Sequence, residues 1–212
     1  MYRPRLIIAL AVAGLLGACH RPPTDGSAAA PVRGDVVRDT AAARADTERA
    51  FRLIEERKYQ AAEPLLKRAI ELDPTYGPAL NNLGVVDYHL DRLYEAAWQF
   101  QSAIKLMPRE PQPQNNLGLV LESAAKPQEA EAAYGRAHEL DPRNPEYAGN
   151  LARVRIRLDK RDEETRRLLE LVVMADSRAD WVEWARFNLT RIRPSSEELS
   201  TTRPQTLPST SK

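Results

Sequence analysis

Apolar positions in the middle of the chain fall at helical spacing on two successive stretches. Leu80, Leu83 and Gly84 lie at i, i+3 and i+4, and Ala96, Ala97, Phe100, Ala103 and Ile104 resume that spacing after a break at Leu90-Asp91-Arg92. A stripe of this period buries one face of a helix, so the pattern predicts two short antiparallel helices joined by a turn. Pro108 ends the second, because proline lacks the N–H that continues the ladder and restricts the residue before it. Small residues inform as much as large ones: Gly84 and Ala96 stand where two backbones cross closely, and Ala103 where the next helix leans in.

The same spacing recurs with a period of 34 residues. Gly84, Ala96, Ala103 and Pro108 return as Gly118, Ala130, Ala137 and Pro142, and one period earlier as Ala50, Ala62, Ala69 and Pro74. A large residue precedes the last alanine each time, as Leu66, Phe100 and Tyr134. Period and pattern resemble the tetratricopeptide repeat. The resemblance runs without insertion from about 43 to 176 and implies an all-α, right-handed solenoid of helix-turn-helix units. Within a domain spanning 41–176, the repeats are 43–76, 77–110, 111–144 and 145–176, and a capping helix over 177–193 follows.

Each repeat has features of its own. In the first, Asp46 and Arg49 occupy positions that hold core residues in later copies, as expected for a terminal repeat facing water, and Pro64 is expected near the first turn of its second helix, where a missing N–H is tolerated. In the second, Tyr88 follows the position where the resemblance places an aromatic. Either its ring rotates toward the groove or the helix shifts locally, and the register fixed by Gly84 and Pro108 favours rotation. Pro127 opens the second helix of the third repeat. The fourth is degenerate, with Glu164 in place of alanine and Asp176 in place of proline, so its second helix, 162–174, is expected to pack less closely. Residues 153–167 carry seven Lys/Arg against four Asp/Glu, which reads as a solvated face or as a basic end of a groove. Asp180 is the expected N-cap of the last helix. Trp181 and Trp184 exceed what a cap needs and suggest a partner contact.

The ends read differently from the repeats. Arg3 and Arg5 precede an eleven-residue apolar run, 6–16, too short for a permanent span. That run leads into Leu16-Gly17-Ala18-Cys19, which resembles the lipobox of bacterial lipoproteins. The resemblance implies a signal peptide over 1–18, a diacylglyceryl thioether on Cys19 with a further N-acyl chain, and stable anchoring by more than one chain. With His20 rather than aspartate next, it implies the periplasmic face of the outer membrane. Cys19 is the only cysteine, so no internal disulfide forms. The Pro- and Ala-rich stretch up to residue 40 is read as a flexible tether, and 194–212, with nine Ser/Thr in nineteen residues, as a disordered tail.

Net charge of +1 gives no sign of nucleic-acid binding. The three histidines are scattered, and no metal-binding, nucleophile-elbow or phosphate-loop motif occurs. No catalytic residue, metal or cofactor is therefore expected. The resemblance implies instead a concave groove lined by the first helix of each repeat. Asn81, Asn82, Asn115, Asn116 and, after Gly149, Asn150 face it, giving a ladder of Asn82, Asn116 and Asn150 able to bond the backbone of an extended peptide; alternatively these amides bridge neighbouring helices. Val85, Tyr88, His89, Leu119, Glu122, Arg153 and Arg157 would add side-chain selectivity. The positions matching a chaperone-type carboxylate clamp hold Thr47, Phe51, Asn82, Gln112 and Asn116, which argues against a C-terminal carboxylate as ligand. The expected function is an adaptor for protein or peptide segments of an envelope complex, touching the membrane through its lipid alone. It resembles pilotin-type lipoproteins of type IV pili and adaptors of peptidoglycan hydrolases. A dedicated inhibitor of one periplasmic enzyme, or an unlipidated chaperone-type module, is the alternative.

Overall fold

The computed structural model describes residues 38–192. Cys19, the apolar leader, most of the tether and the tail lie outside them. Nine α-helices and no strand occur among the described residues: α1 (Thr40–Glu55), α2 (Tyr59–Leu72), α3 (Gly77–His89), α4 (Leu93–Leu106), α5 (Pro111–Ser123), α6 (Pro127–Leu140), α7 (Pro145–Arg157), α8 (Glu163–Ala175) and α9 (Ala179–Leu189). Each helix packs on its neighbour in sequence, and α1, α3, α5 and α7 also touch one another in succession. The first helices therefore line one side of the stack.

The turns inside the repeats share one geometry. Arg57, Asp91, Ala125 and Asp159, one period apart, all adopt left-handed backbone with φ of 58°, 60°, 57° and 60°. The next N–H returns to the helix, from Lys58 to the Leu53 carbonyl at 2.8 Å and from Lys126 to Leu121 at 2.9 Å, with equivalents at Arg92 and Lys160. This is the Schellman closure of a helix, which usually uses glycine at the left-handed position. None of the four is glycine.

Core packing couples two columns sixteen residues apart. Where the first helix carries alanine, at Ala50 and Ala152, the second carries leucine, Leu66 and Leu168; where it carries glycine, at Gly84 and Gly118, the second carries Phe100 and Tyr134. All four large side chains are buried. A Cβ added at Gly84 would meet Phe100 Cε1 at 2.7 Å, and one at Gly118 would meet Tyr134 Cε1 at 2.5 Å. Each glycine thus makes room for a ring whose burial stabilises the fold by roughly 1.5–3 kcal/mol.

Several sequence expectations need correction. Arg49 is exposed as a terminal repeat suggests, but Asp46 is buried, its carboxylate accepting from both Arg68 Nε and Nη2 on α2. A buried carboxylate needs such a partner, so the first repeat closes with an ion pair rather than an exposed acid. Pro64 stands in the second turn of α2, beyond the positions whose N–H groups are free. Asp180 lies inside the first turn of α9, whose N-cap is Arg178. Asp162 caps α8 rather than opening it, accepting from Thr165 N at 3.0 Å. The charges of 153–167 are largely paired within the chain. Arg155, 7% exposed, reaches Glu131 at 2.9 Å and Asp162 and Glu164 at 2.8 Å, while Lys160 pairs with Glu131. Glu164, which replaces the small alanine, turns outward to that guanidinium.

The last helix keeps the register of the repeats. First helices begin at Gly77, Pro111 and Pro145, and α9 begins one further period on, at Ala179. It is the first helix of a fifth unit. Trp184 accordingly occupies the column of Asn82, Asn116 and Asn150.

Candidate protein-binding groove

The asparagines on the inner helices bond to one another across repeats. Asn116 Nδ2 donates to Asn81 Oδ1 at 3.1 Å, Asn81 Nδ2 to Asn82 Oδ1 at 3.3 Å, and Asn150 Nδ2 to Asn115 Oδ1 at 2.8 Å. Asn81, Asn115 and Asn150 are buried, whereas Asn82 and Asn116 keep part of their surface accessible. A carboxamide offers two donor hydrogens and an acceptor oxygen. The bonds above leave the Asn82 amide nitrogen and the Asn116 oxygen free of protein partners in this chain of amides.

Clefts flank Asn82. One, of about 480 Å³, is lined by Pro78, Asn82, Met107, Gln112 and Pro113 among others. A second, of about 460 Å³, shares Pro78 and Asn82 and extends to Phe51 and Tyr76. Phe51 is 49% exposed and sits one period before Val85, Leu119 and Arg153. Extending that column back one repeat identifies it from sequence. Val85 itself is half-buried against the cluster of Ala96, Phe100 and Val120, supporting the groove wall.

Toward the C-terminus the groove becomes ionic. Tyr88, Leu119, Glu122, Ser123, Arg153 and Arg157 line a cleft of about 430 Å³. α3 remains regular through Tyr88, whose ring rotates into this cleft with its hydroxyl 3.2 Å from Ser123 Oγ. His89 turns elsewhere: it is exposed and stacks on Tyr59 with centroids 4.3 Å apart. Arg153 Nη2 donates to Glu122 Oε2 at 2.8 Å, Tyr134 Oη donates to the same oxygen at 3.0 Å, and Arg157 Nη1 lies 3.5 Å from Oε1. Burial alone would raise the Glu122 carboxyl, but the Arg153 bond and charge, the Tyr134 bond and the Arg157 charge outweigh it, holding it below the ordinary glutamate range. Burial, reinforced by the Glu122 charge, pushes the Tyr134 phenol far above its ordinary value, so it stays a donor.

The tryptophans divide the work. Trp181 lies over Gly149, where a Cβ would come within 2.7 Å of the indole, and Arg178 and Arg153 stand 4.5 and 5.3 Å from its ring centroid. Such cation–π contacts hold the ring in place. Trp184 meets it edge-on at 5.6 Å and, with Arg153, Asp180 and Trp181, lines a cleft of about 240 Å³. No cluster of three or more metal-ligating side chains occurs among the described residues, nor any helix long and apolar enough to cross a membrane.

No protein-family model and no curated protein matches the chain. Solved structures are similar to it. PilF of Pseudomonas aeruginosa superposes with a TM-score of 0.61 at 21% identity, over 77% of this chain and 82% of that one. A tetratricopeptide repeat protein of Parabacteroides merdae gives 0.60 at 16%, over 72% and 60%. The first tetratricopeptide-repeat domain of Spaghetti (RPAP3), bound to the HSP90 peptide SRMEEVD, gives 0.56 at 21%, over 58% and 98%. The fold is that of the tetratricopeptide-repeat solenoids.

Proposed function

We propose that this chain is a non-catalytic adaptor that holds an extended segment of a protein partner in the groove along α1, α3, α5 and α7. The observation that carries the reading is the part-accessible Asn82, which keeps an unengaged amide nitrogen and lines two adjoining clefts, followed one repeat on by the part-accessible Asn116 with an unengaged oxygen. An extended backbone presents alternating carbonyl and N–H groups that such amides can satisfy without reading sequence. The peptide held by the RPAP3 domain lends support to a ligand of that class. The adaptor is anchored through Cys19 to the outer membrane, facing the periplasm, and serves the assembly or regulation of an envelope complex. Support for that part comes from the leader, from Cys19-His20, and from the resemblance to pilotin-type and hydrolase-adaptor lipoproteins.

Two measurements test it. Crosslinking in intact envelopes should give fewer partners with Asn82→Ala/Asn116→Ala than with the wild type, and an unchanged partner set rejects the groove. Cys19→Ser should shift the protein to the soluble fraction; persistence in membranes rejects the anchor.

A further inference from the structure

Resting on the groove reading above, we propose that its C-terminal end selects a partner segment in which an acidic residue adjoins a large apolar one, with Arg157 taking the carboxylate and Trp184 the apolar side chain.

The charge argument starts from Glu122. Two guanidiniums one helical turn apart on α7, Arg153 and Arg157, converge on this one carboxylate of α5. Arg153 holds the shorter contact and is half-buried against Tyr134, whereas Arg157 is 3.5 Å away and its side chain is 54% exposed. No second acid lines their cleft. One carboxylate leaves a positive charge uncompensated there, carried by the more exposed Arg157. Guanidinium binds a carboxylate through paired N–H donors, so an incoming acid would complete the set.

The apolar subsite lies next to it. Arg153 lines both the ionic cleft and the cleft beside Trp181 and Trp184, so the two are separated by one side chain. Trp181 is held by Gly149 and two arginines, and Arg178 is neutralised by Asp176 at 2.6 Å. Trp184 offers its half-buried face to an occupant. Asp180 is the only acid at this subsite, and it repels a ligand carboxylate from the tryptophans toward Arg157. The order of the two ligand side chains along the groove is thereby set. Both contacts lie beyond the accessible amides Asn82 and Asn116, since Asn150 is buried on Asn115 and Trp184 takes the next place in that column, so side-chain selectivity is added past the backbone-bonding amides.

The probe is a random dodecapeptide phage library selected on the purified full chain, with the best peptide then measured by fluorescence anisotropy. Enriched peptides should share Asp or Glu close to Trp, Phe or Leu. Kd should rise at least about tenfold in Arg157→Gln and in Trp184→Ala, the Arg157 effect shrinking as salt is raised, while Trp184→Phe stays within about threefold of the wild type. If Trp184→Ala fails to fold by circular dichroism, Trp184→Phe and Arg157→Gln decide. An unchanged Kd in Arg157→Gln, or in a folded Trp184→Ala, overturns the proposal. If that peptide is still lost in Asn82→Ala/Asn116→Ala, the groove reading survives alone; if not, both fall. The tail carries Glu197 and Glu198 next to Leu199, so peptides recovered only with Glu197→Gln/Glu198→Gln would make the chain's own tail the occupant, which overturns a partner in trans, as does the absence of any enriched peptide.

Discussion

Two helix-interior glycines should respond oppositely to the same substitution. Alanine normally stabilises such a position by about 1 kcal/mol, through helix propensity and unfolded-chain entropy. Gly135 in α6 has no atom within 4 Å of an added Cβ, so Gly135→Ala should gain that amount. Gly118→Ala brings Cβ to 2.5, 2.6 and 2.9 Å of three ring carbons of Tyr134. Ordinary carbon contacts need about 3.5 Å, so ring or helix must retreat by roughly 1 Å. Tyr134 is fully buried, and its hydroxyl is tied to Glu122 at 3.0 Å, which opposes retreat. Overpacking of this kind costs about 1–3 kcal/mol, leaving Gly118→Ala destabilising by about 1 kcal/mol after the propensity gain is subtracted. For a chain of this size that corresponds to a loss of roughly 2–4 °C in midpoint against a similar gain for Gly135→Ala. Thermal and urea unfolding followed by far-ultraviolet circular dichroism read both. The first and fourth repeats supply a further arm, since they pair alanine with leucine. Tyr134→Leu should be less harmful beside Gly118→Ala than alone, with a coupling of about 1 kcal/mol. Equal stabilisation by both alanines, or strict additivity in the double variant, would refute the packing argument.

Three other outcomes follow from features already described. Ala125→Gly relieves the left-handed backbone at φ 57°; relief of about 1–2 kcal/mol, less the greater entropy of unfolded glycine, should raise stability by about 0.5–1 kcal/mol in urea unfolding. Pro64→Ala restores an N–H in the second turn of α2 and removes the clash with the Gln60 carbonyl, and should add about 2 kcal/mol, seen as a higher unfolding midpoint. Glu122→Gln should cost about 2 kcal/mol at neutral pH, since a charged hydrogen-bonded group is replaced. Because the folded carboxyl lies below its ordinary value of 4.5, that contribution is complete above this pH and is lost as pH falls through the depressed folded value. The wild-type and Glu122→Gln unfolding curves should converge in acid, and a constant gap down to pH values below the folded one would count against the ion pair.

The repeat architecture was legible because Gly84, Gly118 and the recurring alanines and prolines are needed wherever two helices cross, and crossings recur with the period. The left-handed turn residues were not, since Arg57 and Ala125 are poor formers of that conformation and stack contacts override local preference. Asp46 misled for a related reason: a lone acid reads as exposed unless its partner is known, and Arg68 lies 22 positions away. In the groove, five of the residues that the resemblance implied would line it, Tyr88, Leu119, Glu122, Arg153 and Arg157, fall in one cleft. It did not separate Asn82 and Asn116 from the buried Asn81, Asn115 and Asn150, because which amide bonds to which depends on the tilt between repeats. The seat of Trp181 on Gly149 was equally hidden, as it joins two helices of different repeats.

The register that α9 shares with α3, α5 and α7 limits how this chain can change in length. Removing one residue inside a helix rotates everything after it by about 100°. Such a deletion in α7 would swing Arg157 off the inner wall and Gly149 from under its indole, or break the junction with α9. Duplicating one whole unit does neither, because it keeps the helical register on both sides of the join. Growth or shrinkage of the stack is therefore permitted in steps of one period, and a lengthened chain would keep the same ionic end while gaining asparagine rungs before it.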